Sequence, residues 1–185
     1  MTTQTQNKIV NDVNITQLGE TIHNVRQDPQ LAAFKARAKN KWISGTFNKI
    51  TIDDYYLAKE EQKHKQSFQI NADEPPILLG QDRGANPVEI LLGALSGCMT
   101  TTLAVYSAVQ DLKVESIQSE YEGDLDLQGF LGIREDVNTG YNEIRVKFKV
   151  KGDATEEQIR EMVKKSPVYD TLIRPIKIKI NVEKE

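Results

Sequence analysis

The sequence predicts an α+β fold, and three features carry that prediction. A run of 21 uncharged residues, Ile90 to Gln110, reads as one long helix buried on all sides. Segments in which apolar and charged residues alternate stand on both sides of it, as half-buried strands require. The order is helix, three strands, long helix, two strands, short helix, strand. That order is not the regular strand–helix alternation of a doubly wound parallel sheet.

Residues 1–14 are polar and are expected to form a flexible N-terminus. The single domain is expected to span residues 15–185, beginning with a helical extension from Ile15 to Phe34. Ile15, Leu18, Ile22 and Val25 recur at helical spacing, Asn14 can cap the start, and Pro29 interrupts the run. Phe34 to Trp42 alternates as a strand, with Phe34, Ala36, Ala38 and Trp42 on its apolar side. Ser44-Gly45-Thr46 reads as a turn and Phe47 to Asp53 as the hairpin partner. A third strand is expected at Gln66 to Ile70, followed by a loop rich in turn residues.

Asn86 is a good N-cap for the central helix, with Pro87 at the first helical position and Glu89 at the third. Gly93, Ala94, Ser96 and Gly97 are small and permit close approach of a second helix. Lys113 to Tyr121 and Glu143 to Val150 read as strands. The acidic stretch between them is weakly patterned and reads as a solvated face rather than a calcium loop. Thr155 caps a short helix to Lys165, ended by Ser166-Pro167, and Ile176 to Val182 alternates as a final strand.

Composition narrows the function classes. The 185 residues carry 24 basic and 27 acidic side chains, a net charge of −3, which argues against a general nucleic-acid binder. One cysteine excludes an intramolecular disulfide and any multi-cysteine metal site, and suits a cytoplasmic location. No signal peptide is expected from the polar N-terminus. The uncharged run is long enough to cross a bilayer, but three threonines, two serines and the missing flanking cations favour a core helix, so no membrane partner is expected.

Cys98 is the sharpest chemical candidate. On an apolar helix it reads either as a small core hydrophobe or as a nucleophile. Glu89 reads either as a capping carboxylate or as a catalytic one. Nine residues on one helix put it on the face opposite Cys98. His23 and His64 have no partner at metal or triad spacing and read as surface residues. No cofactor-binding motif appears, and neither a cofactor nor a metal is expected.

The run ADEPPILLGQDRGANPVEILLGALSGCMTTTL resembles the central signature of the OsmC/Ohr family of thiol-dependent hydroperoxide reductases. LDLQGFLGIREDVNTGYNEIRVKFKVKGDATEEQIREMVKKSPVYDTL resembles the C-terminal half of the family's longer branch. The resemblance covers about residues 15–183. It implies an intertwined homodimer with central helices packed together and sites at the subunit interface. Cys98 matches the peroxide-attacking cysteine of the family. The resolving cysteine stands in a Cys-Pro pair, and this chain has Ser166-Pro167 there. The family arginine that stabilises the thiolate corresponds to Thr46 or Phe47, and Arg37 and Arg83 are the nearest basic substitutes. The family acid lies one position earlier, at Val88, so Glu89 is an approximate match.

Two functions follow from the resemblance. One is one-cysteine reduction of organic hydroperoxides by Cys98, with Glu89 assisting and a small thiol or dithiol as external reductant. The other is a non-catalytic dimer that binds a small hydrophobic ligand in a pocket lined by Cys98.

Overall fold

The structure is a computed structural model that describes residues 7–184. The chain divides into two compact units. One holds the residues up to Ile9 and Asn14–Leu91, the other Val10–Val13 and the residues from Leu92 onward.

The N-terminal expectation changes where it can be seen. Residues 1–6 of the expected flexible segment lie outside the described residues. Beyond them, β1 (Ile9–Val10) and β2 (Val13–Asn14) form a short hairpin. Its two turn residues, Asn11 and Asp12, both have positive φ, the geometry of a tight hairpin turn. Asn11 is tied at both ends of its amide. It donates to the Leu112 carbonyl and accepts from the Val114 N–H, each at 2.9 Å.

In the first unit α1 (Ile15–Gln27) starts at the expected cap, with the Asn14 side chain accepting from the Gln17 N–H at 3.0 Å. It stops before Pro29 rather than reaching Phe34, because the proline cannot donate into the ladder. The strand expected from Phe34 is split into β3 (Lys35–Ala36) and β4 (Lys39–Ser44). Both pair antiparallel with one side of β5 (Phe47–Leu57), and β6 (Glu60–Ala72) pairs with the other. The third strand is thus far longer than Gln66 to Ile70. Ala58 and Lys59 turn β5 into β6, both at positive φ, without the usual Asn-Gly signal. His64, expected as a surface residue, lies half-buried on β6, its ring tilted against Tyr55 at 4.9 Å and edge-on to Phe68 at 5.2 Å between centroids.

α2 (Pro87–Val109) opens with the predicted box. Val88 N–H donates to the Asn86 side chain at 3.0 Å, and Asn86 N–H donates to the Glu89 carboxylate at 2.9 Å. In the second unit Leu95, Met99 and Leu103 of this helix form a core with Met162 and Val163 of α4 (Glu156–Val163). β7 (Val114–Leu125) and β8 (Tyr141–Gly152) pair antiparallel and bring Ile117, Tyr121, Ile144, Phe148 and Val150 against that core. Thr155 and Gln158 make the expected capping box at the start of α4.

Three further elements, all in the second unit, differ from expectation. A short helix, α3 (Leu127–Phe130), interrupts the acidic stretch, with the Asp126 side chain accepting from the Gln128 N–H at 2.9 Å. Ser166-Pro167 does not simply end a helix but begins another, α5 (Pro167–Ile173). The final strand expected at Ile176 to Val182 is absent: those residues are unpaired, and Ile176, Ile178, Ile180 and Val182 are exposed. Alternation gives a segment a sided surface, but a strand also needs a ladder partner.

Candidate functional site

Cys98 is a free, half-buried thiol on α2. Its flanks Leu95 and Met99 belong to the core, so the helix that carries it is fixed by packing. The Thr102 hydroxyl is spent on the Cys98 carbonyl at 2.7 Å. Glu89 stands nine residues earlier on the same helix, and its carboxylate is engaged by the Asn86 N–H. That contact is the capping role the sequence allowed.

Ser166, which the sequence resemblance sets against the resolving cysteine, is buried. Its hydroxyl accepts from the Tyr169 N–H at 3.3 Å, and its carbonyl accepts from the Asp170 N–H at 2.9 Å. This side chain is the N-cap of α5, a role for which a hydroxyl oxygen is well suited.

The two basic candidates separate cleanly. Arg37 is committed to carboxylates: it grips Glu61 at 2.5 and 2.9 Å and Asp54 at 2.9 Å, and these partners raise its pKa further. Arg83 is built differently. Its Nε donates to Asp73 at 3.0 Å, and its guanidinium carbon lies 4.3 Å from the centre of the Phe47 ring. Arg83 therefore reaches the Thr46–Phe47 turn, which the resemblance sets against the family arginine, from a different loop.

Asp73 is the residue that sequence reasoning missed. Its side chain is 0% exposed, in a loop where solvent contact is the ordinary expectation. It accepts from the Thr46 hydroxyl at 2.5 Å and from the N–H groups of Glu74, Gln81 and Arg83 at 3.0, 3.3 and 3.2 Å. The Thr46 bond first, and then the Arg83 guanidinium, hold its carboxyl well below the usual carboxylate range. The loop 73–86 folds tightly around this carboxylate. A Cβ at Gly80 would run into the Glu74 carbonyl, and one at Gly84 into that of Asn71. Glu74 in turn accepts from the Asn86 amide at 2.5 Å, which links the loop to the cap of α2. The only sequence signal for this hub was the concentration of Asp, Gly and Pro in one loop.

Comparison with known proteins bears on the family and the fold. The family model for OsmC-like proteins matches residues 80–181, more than half of the chain. No curated protein matches the sequence. Among solved structures, an OsmC-like protein from Mycoplasma pneumoniae superposes with a TM-score of 0.55 at 18% identity, over 75% of this chain and 87% of that one. An OsmC-like protein of unknown function from Vibrio cholerae gives 0.53 at 14% identity, over 74% and 92%. An OsmC-like hydroperoxide resistance protein from Jannaschia sp. covers 81% of this chain and 91% of its own at 17% identity, with a TM-score of 0.42. At such identities the likeness to the first two is one of fold.

Proposed function

Because the chain belongs to the OsmC-like protein family, we propose that it reduces small organic hydroperoxides through Cys98, with an external thiol as reductant. The observation that supports this reading most is Cys98 itself, a free thiol on a helix otherwise fixed by apolar packing. The thiolate attacks the distal peroxide oxygen and the O–O bond breaks. The alcohol leaves with one proton, and a sulfenic acid remains on Cys98. With Ser166 in place of a second thiol, an external thiol condenses with the sulfenic acid, releasing water. A second thiol then exchanges with the mixed disulfide and restores Cys98. Glu89 contributes by holding the start of α2, through its bond to Asn86.

The same reading includes a homodimer, with neither membrane nor nucleic acid as partner, in a cytoplasm that supplies the thiol. α2 is long and apolar enough to cross a bilayer, yet only 22% of its most apolar window is buried. Gly93, Ala94, Gly97 and Thr101 are exposed on it, and a Cβ on either glycine would meet open space. A second central helix laid on this small-residue face explains both facts.

The test is consumption of cumene hydroperoxide with dithiothreitol, for the wild-type protein and for Cys98→Ser. Turnover that vanishes in the variant is the expected result. Absence of turnover in the wild type, with slow alkylation of Cys98, would instead leave a dimer that binds a hydrophobic ligand. The cap roles of Glu89 and Ser166 are what favour that second reading.

A further inference from the structure

We propose that Arg83 is an oxyanion-binding residue, which takes a carboxylate or phosphate group of a small-molecule ligand on the two terminal nitrogens of its guanidinium. The inference does not depend on Cys98 chemistry.

The argument begins with what Asp73 needs. A carboxylate offers about four lone-pair sites. The Thr46 hydroxyl and the N–H groups of Glu74, Gln81 and Arg83 already supply four donors. The Arg83 Nε is a fifth. The carboxylate thus fixes the arginine more than the arginine rescues the carboxylate.

The guanidinium is also fixed from its face, by the Phe47 ring. Anchored at one edge and one face, it has its terminal nitrogens left over. They reach only the Ser44 hydroxyl and carbonyl, both at 3.5 Å, the outer limit of a hydrogen bond. The side chain keeps 34% of its exposure. This geometry matches what bidentate recognition of a planar or tetrahedral oxyanion requires.

The neighbouring strands point the same way. Lys41 and Lys49 stand directly opposite each other across β4 and β5, and Lys49 shares its face of β5 with Phe47. Like charges directly opposed weaken a strand pair. Neither lysine makes an ion pair among the described residues. Such an arrangement costs stability in the free protein and is relieved by an anion.

The test is a titration followed by amide chemical shifts of Thr46, Phe47 and Arg83. The probes are inorganic phosphate, hexanoate, and hexanol as the neutral control, and the proteins are wild type, Arg83→Gln and Arg83→Lys. Saturable shifts with phosphate or hexanoate, none with hexanol, are expected. Affinity should fall at least tenfold in R83Q and by a smaller factor in R83K. Because four donors remain on Asp73, R83Q should melt close to the wild type; should it unfold, R83K carries the test. Unchanged affinity in either variant, equal response to hexanol, or no saturation in the wild type would overturn the proposal. Where Cys98 turns over, a rise in KM confined to a carboxylated hydroperoxide, or to a carboxylated thiol, identifies which co-substrate brings the anion.

Discussion

The two units hold themselves together by different means. The second has a conventional apolar core, in which Leu95, Met99 and Leu103 of α2 lock against Met162 and Val163 of α4. The first buries little apolar surface of its own. Ala72 is its one fully buried hydrophobic residue among those described, while Phe34, Trp42, Phe68, Ile77 and Leu79 are exposed. Its order comes from the β-ladders and from a buried carboxylate with five donors. Packing is non-directional and tolerates some repacking, whereas a buried charge depends on donors aimed at it. The unit held by packing carries the thiol, and the unit held by polar contacts carries the tethered guanidinium.

The sharpest way to break this contrast is to damage one unit at a time. Leu103→Ala, at a fully buried position, is expected to cost about 2–5 kcal/mol, measured by denaturant unfolding. The loss should register in far-UV circular dichroism, because most of the described helical residues lie in the second unit.

The next effect is on the first unit and is driven by pH. Asp73 has a depressed pKa in the folded chain, so its contribution is complete above the unfolded value of about 4. It fades as pH falls from there toward the folded-state value. Trp42, the only tryptophan, reports this unit. Its fluorescence should change at a higher pH than the helical signal does. Coincident acid transitions would mean that the two units respond as one.

Smaller effects separate two caps of the second unit. Ser166→Ala removes a buried cap and should cost about 1–2 kcal/mol, while Thr155→Ala removes an exposed one and should cost about 0.5–1 kcal/mol. Equal melting temperatures for the two variants would show that burial adds nothing to the Ser166 cap.

The elements that were legible in the sequence are those whose signals are local. Asn86, Pro87 and Glu89 announce the start of α2, and Thr155 with Gln158 announces α4, because capping is decided within four residues. The β5–β6 hairpin was only partly legible. Ala58-Lys59 carries no turn signature, and the start of β6, Glu60 to Lys65, is too polar to alternate. Ile176 to Val182 shows the opposite failure, a clear pattern without a pairing partner. Of the candidate site, Cys98, Glu89 and Ser166 were singled out by the resemblance, but the capping duties of Ser166 depend on α5, which the sequence did not suggest. Asp73 was invisible because burial of a loop carboxylate is set by which distant donors converge on it. Thr46 lies 27 residues away in the chain.

The unpaired C-terminal segment has a colloidal consequence. Ile176, Ile178, Ile180 and Val182 would share one side if the segment were extended, and the stretch from Lys177 to Val182 contains neither proline nor glycine. Such a segment templates edge-to-edge addition between molecules. Lys177 and Lys179 occupy the other side and set two copies against each other by charge. Salt removes that protection: the screening length falls from about 10 Å at 0.1 M to about 3 Å at 1 M. Association is therefore expected to increase with ionic strength, which light scattering across a salt series would read.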